Sequence, residues 1–441
     1  MTATDQSRRS FLKGAAASGA LCCLVGPNAL GGGRSAPSER ITMATIGVGG
    51  MGQGDMQAFM HKKNQVQMVA VCDVDERHSS QAKNTVDEFY GNNDCRTYVD
   101  YRELLEQEEL DAVAIATPDH WHALPAIAAA RHGLDIHAQK PLARTIREGR
   151  AMCNAVHKAG VVWQTGSQQR SGNNFHRACE LVRNGCIGEI EKVEVGLPYG
   201  GSGPHGGQSQ GWSPQPVPDG LHYDFWLGNA PRAPYHELRV HWDWRWILDY
   251  SGGQLTDWAG HHIDIAQWGM GRERTGPIEV WGEGKYPDDG LWNTPYAYKF
   301  HCKYREGAPM TVADNHQVDQ GVTWYGEDGW IYVKRGVLEA DPPGVLQETI
   351  GADGVHLYDS PGHKQNFLNC IRTREETVAP IEIGHRSISV GLLGEIAMLT
   401  GRRIRWDPDK ERILGDPEAR RLLGRSYREP WHLPEDVSVT T

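Results

Sequence analysis

The run Gly252-Gly253-Gln254-Leu255-Thr256-Asp257-Trp258-Ala259-Gly260-His261-His262-Ile263-Asp264 gathers groups that can hold and move protons. Asp257 and His261 are four residues apart, so on a helix they share one face. Thr256 suits the N-cap of that helix, and the glycine pair before it lets backbone approach a ligand closely. An imidazole that titrates near neutrality can serve as general base, the role expected of His261. A lysine ammonium, here Lys140, can hydrogen-bond the same oxygen and stabilise its developing charge. With Asp257 orienting the substrate or the imidazole, the three suit removal of a proton from an alcohol oxygen. His262 and Asp264 point elsewhere on the helix.

Upstream, His241-Trp242-Asp243-Trp244-Arg245-Trp246 alternates rings with charge, which predicts a strand with one face lined by tryptophan. Flat rings beside Asp and Arg suit a sugar, with its C–H faces stacked and its hydroxyls hydrogen-bonded. Arg170, Trp244, Arg245 and His262 are the candidate substrate contacts.

Hydrogen leaving the carbon needs an acceptor, and the N-terminal half supplies the elements to hold one. Ile41 to Ile46 reads as a buried strand, and Gly47, Gly49 and Gly52 follow at GxGxxG spacing, with Gly50 and Met51 completing the loop. Asp55 to Lys62 begins a helix, and Val66 to Cys72 is a second strand ending at Asp73. Strand, glycine loop, helix, strand and acid is the order a dinucleotide fold requires. The glycines admit backbone N–H groups close to a pyrophosphate at the helix N-terminus. Asp73 accepts from the adenosine ribose and disfavours a 2′-phosphate, so NAD is preferred over NADP. Strands at 110–116, 135–138 and 161–164 alternate with helices at 123–132 and 145–159. Thr117, His122, Gln139 and Lys140 stand at carboxyl ends of these strands, where such sheets place their sites.

At this point the chain resembles the glucose–fructose oxidoreductase / inositol dehydrogenase family, Gfo/Idh/MocA, from about residue 40 to 430. The resemblance is carried by the loop 47–52 with Asp73, by TPDHWHALPAIAAARHGLDIHAQKPLA, and by GG…D…H at 252–261. It implies a Rossmann-like α/β domain over 37–165. It also implies an α+β domain with an open, mainly antiparallel sheet over 166–441, entered at Gly185-Cys186-Ile187-Gly188. Lys140, Asp257 and His261 take catalytic roles by this resemblance, with Asp257 and His261 meeting substrate hydroxyls. The exposed sheet face implies a homo-oligomer, dimer or tetramer. One position departs from the pattern: Gln139 stands where the family usually has Glu.

The remaining features bound the reading. Among 441 residues, 39 % are hydrophobic and 23 % charged, with a net charge of −11, which repels phosphate backbones and argues against nucleic acid. No stretch past residue 40 is long and apolar enough to span a bilayer. Nine cysteines without CxxC spacing argue against a zinc site or a disulfide framework. His120-Trp121-His122 and His261-His262 offer chelating pairs, but the first fits the nucleotide fold better, so no metal is expected. Residues 196–220, rich in Gly, Pro, Ser and Gln, read as a long loop, either a lid, a subunit arm or a passive insertion. Residues 1–36, with Ser7-Arg8-Arg9-Ser10-Phe11-Leu12-Lys13, resemble a twin-arginine signal and imply export to the periplasm or beyond.

Three functions are compatible. The first is an NAD-dependent oxidoreductase acting on a CH–OH carbon of a sugar or cyclitol with non-dissociating cofactor. The second is a glycoside hydrolase using resident NAD for transient oxidation and elimination. The third is an inactive sugar-binding relative, suggested by Gln139.

Overall fold

The computed structural model describes residues 39–201 and 211–438. The leader and residues 202–210 of the expected long loop lie outside them.

The first sheet is built from β1 (Ile41–Ile46), β2 (Val66–Cys72), β3 (Arg96–Tyr98), β4 (Ala112–Ile115), β5 (Asp135–Ala138) and β6 (Trp163–Thr165). Its order is β3-β2-β1-β4-β5-β6 and every pair is parallel. β1 and β4 are buried along nearly their whole length because helices cover both faces. The intervening helices are α1 (Gly50–Met60), α2 (Glu76–Tyr90), α3 (Tyr101–Gln107), α4 (Ala123–Arg131) and α5 (Ile146–Ala159). Local signals set their ends. Thr145 caps α5 by accepting from Glu148 N, and Gly160 closes it in the left-handed region.

After α6 (Asn173–Arg183), the chain enters the second sheet at β7 (Ile190–Leu197). Three short helices follow: α7 (Tyr223–Leu227), α8 (Gly253–Trp258) and α9 (Asp264–Met270). The sheet is completed by β8 (Glu279–Lys285), β9 (Ala297–Lys303), β10 (Met310–Asp314), β11 (Gly321–Gly326), β12 (Gly329–Lys334), β13 (Val337–Asp341), β14 (Ile404–Asp407) and β15 (Arg412–Ile413). The order is β13-β12-β11-β7-β10-β9-β8-β14-β15, antiparallel except for β7 with β10. This is the Rossmann-like sheet plus mixed, mostly antiparallel sheet that the sequence implies.

The two halves interlock through late elements. α10 (His363–Thr373) follows the expected boundary at 165/166, yet its Phe367, Leu368 and Cys370 pack with Met43 and Val66 under the first sheet. α11 (Ile381–Thr400) is buried along most of its length, and its glycines allow close passage: a Cβ at Gly391 would stand 2.9 Å from the Ala259 Cβ. Leu423 O accepts from Arg147 N at 2.8 Å, tying the tail to α5. Residues 41–441 accordingly form one compact unit.

Two local expectations are corrected. Residues 243–246 form a 3-10 turn, not a strand. The Arg245 guanidinium lies between the Trp242 and Trp244 rings, 4.3 and 4.4 Å from their centroids, and this contact overrides the alternation. Thr256 is not the N-cap of α8. Gly252 is, and the Thr256 hydroxyl accepts from its N–H at 3.0 Å from inside the first turn.

Candidate active site

The glycine loop has the shape a pyrophosphate needs. Gly47 has φ +80°, and a Cβ there would sit 2.8 Å from Ala116 backbone. A Cβ at Gly52 would come within 1.9 Å of Gly47 O, so this glycine sets the turn and does not itself line the cavity. Gly49 and Gly50, by contrast, have open space or only a distant ring beside them, at the N-terminus of α1. Asp73 accepts from Val48 N and from Asp75 N, both at 2.9 Å, which fixes its carboxylate beside the loop. The Thr117 hydroxyl is buried without a partner at the end of β4, a donor-acceptor held open at the cavity wall. These features fit a bound dinucleotide.

One cavity of about 680 Å³ runs from Gly47, Gly49, Gly50, Met51 and Asp73 past Thr117 and Gln139 to Lys140, Asp257 and His261. Lys140 Nζ donates to Asp257 Oδ1 at 3.0 Å and to Asp257 O at 3.1 Å. Arg245 Nε donates to the same Oδ1 at 3.3 Å. Burial raises the Asp257 carboxyl pKa, but the Lys140 and Arg245 cations outweigh it and hold the group below the usual carboxylate value.

His261 departs from expectation in its titration, not its place. A π turn over Ala259–Ile263 follows α8, so Asp257 and His261 are not on one regular helix, yet both face the cavity. Burial first, then the Lys140 cation, drives the His261 pKa well below the ordinary imidazole value. It does not titrate near neutrality; it is held neutral, with Nδ1 buried and unpartnered.

Three candidate contacts lie off the cavity. His122 Nδ1 is 2.7 Å from Pro141 O and its Nε2 is 2.8 Å from Thr117 O, so it braces the segments that follow β4 and β5. Arg170 is consumed by a buried two-point pair with Asp264, at 2.6 and 2.9 Å. His262 Nδ1 is 2.9 Å from Gly196 O. Trp244 and Arg245 do line the cavity, joined by Trp242 and Trp258.

Asp55, Lys364, Asp75 and His78 were not marked by the sequence. Gln139 Nε2 donates to Asp55 Oδ2 at 2.7 Å, and Lys364 Nζ donates to Asp55 Oδ1 at 2.7 Å. Asp75, His78 and His241 bring ligand atoms within 4.8 Å of one another at the cavity wall, the grouping of metal-binding type found among the described residues. Asp75 is already engaged there by Arg77 Nε and a terminal Arg77 nitrogen, at 3.2 and 2.8 Å.

Comparison with known proteins now decides the lineage. Residues 41–167 match the NAD-binding Rossmann fold of an oxidoreductase family, and residues 174–433 match its C-terminal alpha/beta domain. The chain belongs to the Gfo/Idh/MocA family. Residues 5–24 match a twin-arginine translocation signal sequence, which supports export by that route. Levoglucosan dehydrogenase of Pseudarthrobacter phenanthrenivorans is 32 % identical over 173 residues, 39 % of this chain and 36 % of that protein. Alpha-N-acetylgalactosaminidase of Shewanella oneidensis is 29 % identical over 163 residues, 34 % of each. The matches to the first curated relatives span between 24 % and 42 % of those proteins' lengths. The crystal structure of the WlbA dehydrogenase from Bordetella pertussis with NADH and UDP-GlcNAcA superposes with TM-score 0.60 at 19 % identity, over 83 % of this chain and 99 % of that one. The chain therefore carries the NAD-binding Rossmann fold of an oxidoreductase family, and sugar dehydrogenases are among its homologues.

Proposed function

We propose that the protein transfers hydride between NAD and a hydroxyl-bearing carbon of a sugar or cyclitol, with the cofactor retained between turnovers. The carrying observation is that one cavity has the glycine loop and Asp73 at one end and Lys140, Asp257 and His261 at the other. NAD, when bound, supplies the hydride acceptor. Gly47, Gly49, Gly50, Met51, Asp73, Thr117 and Gln139 hold it in this reading.

The chain's own groups do the proton work. Lys140, steadied by Asp257, donates to the substrate oxygen and stabilises its developing charge. His261, neutral at working pH, takes the proton from that oxygen. Trp244 and Trp242 offer flat faces to the ring, and Arg245 spaces them. Export through the twin-arginine route, to the periplasm or beyond, and assembly into a homo-oligomer complete the proposal.

The similarity to an alpha-N-acetylgalactosaminidase favours a second reading, hydrolysis of a glycoside with no net redox change. One experiment tests both. Heat-denatured pure protein is expected to release near-stoichiometric NAD. Free sugars should then generate bound NADH in the intact protein, whereas phenol release from aryl glycosides without NADH accumulation would move the assignment to hydrolysis. No released cofactor, no spectral response to added NAD and no turnover of either substrate type would overturn the proposal.

A further inference from the structure

Three cations and one carboxylate meet at the substrate end of the cavity. Lys140 and Arg245 share the Asp257 carboxylate, at 3.0 and 3.3 Å. The third cation is Arg335, which reaches the cavity from the turn between β12 and β13 and lies over the Trp258 ring, 4.8 Å from its centroid. No carboxylate among the described residues stands within ion-pair distance of it, and Asp257, already shared by Lys140 and Arg245, acts on it only from farther off. Asp119 also lines this region, but burial raises its carboxyl pKa and its Oδ2 accepts from Ser251 at 2.6 Å. Asp73 and Asp75 belong to the glycine-loop end, where Asp73 is tied to Val48 N.

Arg335 is positioned, not loose. Asn174 Nδ2 donates to Lys334 O at 2.6 Å and to Val337 O at 3.2 Å, which pins the turn that carries it. Gln169, with its amide oriented to satisfy both ends, accepts from Arg335 Nε at 3.3 Å and donates to His261 O at 3.1 Å. The neutral amide fixes the guanidinium without cancelling its charge. Its two terminal nitrogens remain for a ligand, and they present the planar fork that matches an oxyanion.

We propose that the substrate is an anionic sugar whose carboxylate or phosphate group binds Arg335. The inference rests on the sugar oxidoreductase reading and names the substrate class of that same site. Two cations on the one Asp257 carboxylate and a third at the exposed rim give this end of the cavity a net positive field that favours entry of an anion. The positive nicotinamide of an oxidised cofactor would add to that field. A neutral sugar leaves Arg335 unpaired; an acidic one neutralises it and is oriented by it, with Trp258 holding the guanidinium plane. Recognition is therefore expected at a substituent away from the carbon that faces Lys140 and His261.

The test uses the full mature protein with its cofactor and matched neutral and acidic sugars: glucose with glucuronate, galactose with galacturonate, and glucose with glucose 6-phosphate. Formation of bound NADH is followed for each. The acid member of at least one pair is expected to exceed its neutral partner at least tenfold in kcat/KM, chiefly through KM. The uronate and phosphate arms tell carboxylate from phosphate ester. Arg335→Ala should collapse that acid-to-neutral ratio at least tenfold, Arg335→Lys should restore part of it, and Arg335→Glu should invert it. Arg335 is an exposed turn residue, so these variants are expected to fold. Neutral sugars turned over as well as or better than acids, or a ratio that Arg335→Ala leaves unchanged, would overturn the inference and leave the oxidoreductase reading standing. Failure of every sugar, neutral and acid, to reduce the cofactor would overturn that reading and the inference with it.

Discussion

Asp257→Asn is the change that separates positioning from bulk packing in this site. The Asp257 carboxylate answers two cations, Lys140 at 3.0 Å and Arg245 at 3.3 Å, and the three side chains are 13 %, 9 % and 17 % exposed. Asparagine keeps the shape and removes the charge. Breaking a largely buried ion pair from one side costs ~3–5 kcal/mol, because the surviving charge stays desolvated. For a unit of about 400 residues the unfolding entropy is roughly 0.8 kcal/mol/K, so the melting temperature should fall by about 4–6 °C. Turnover should fall by ~10²-fold or more, because Lys140 loses the acceptor that aims its ammonium at the substrate oxygen. The assays are thermal unfolding and single-turnover NADH formation. Adding Lys140→Met to Asp257→Asn removes one unpaired cation and should return about 2 kcal/mol of stability while leaving the enzyme inactive. An Asp257→Asn protein that melts with the parent, or a double variant less stable than the single, would refute the argument that charge pairing holds this site together.

The neutral state of His261 predicts the pH profile. Its folded pKa lies below the ordinary imidazole value, so the base form persists as pH falls, and the acid limb of kcat/KM should sit below about pH 6.5. A limb at or above that value would remove His261 as the base. Gln139→Glu should destabilise the protein by ~1–3 kcal/mol, because it sets a second carboxylate against Asp55, while Asp55→Asn in the same chain should recover most of the loss; equal melting temperatures for Gln139→Glu and parent would contradict this.

What the sequence made legible was short-range. The glycine loop, Asp73 and the parallel sheet follow from apolar runs and turn residues within one strand–helix–strand unit, and Lys140, Asp257 and His261 were singled out by their resemblance to the family's motifs together with type and spacing; the fold brings the three to one cavity. What stayed hidden depends on distant partners. Arg170 looks free in sequence, but Asp264, 94 residues on, absorbs it. His262 adjoins His261, yet the π turn sends it to Gly196 O on β7. The tryptophan alternation at 242–246 has strand periodicity, but an arginine between two rings is worth more there than a ladder with no neighbouring strand to pair. Arg335 sits in an ordinary hairpin turn, and only the folded sheet carries it to the cavity.

Gln139 shows why a departure from a family pattern need not mean lost chemistry. Read alone, an amide in place of a carboxylate beside Lys140 suggests a site stripped of charge. In the fold, the Gln139 amide donates to Asp55, a buried carboxylate on the helix that opens from the glycine loop. Asp55 also receives Lys364 from α10, and Lys364 Nζ stands 2.9 Å from His137 Nε2 on β5. A carboxylate thus stands one hydrogen bond outward from this position, and a donor is required beside it, because two carboxylates at 2.7 Å could not both stay ionised. The amide nitrogen is committed to Asp55, its oxygen packs close to Gly166, and the residue lines the cavity. A neutral amide therefore stands next to Lys140 in the chain, held from behind by the Asp55–Lys364 charge pair. That arrangement joins the glycine-loop helix, the strand end next to Lys140 and α10 in one buried network, so the segments that would grip the dinucleotide and the lysine that would act on the substrate are positioned together.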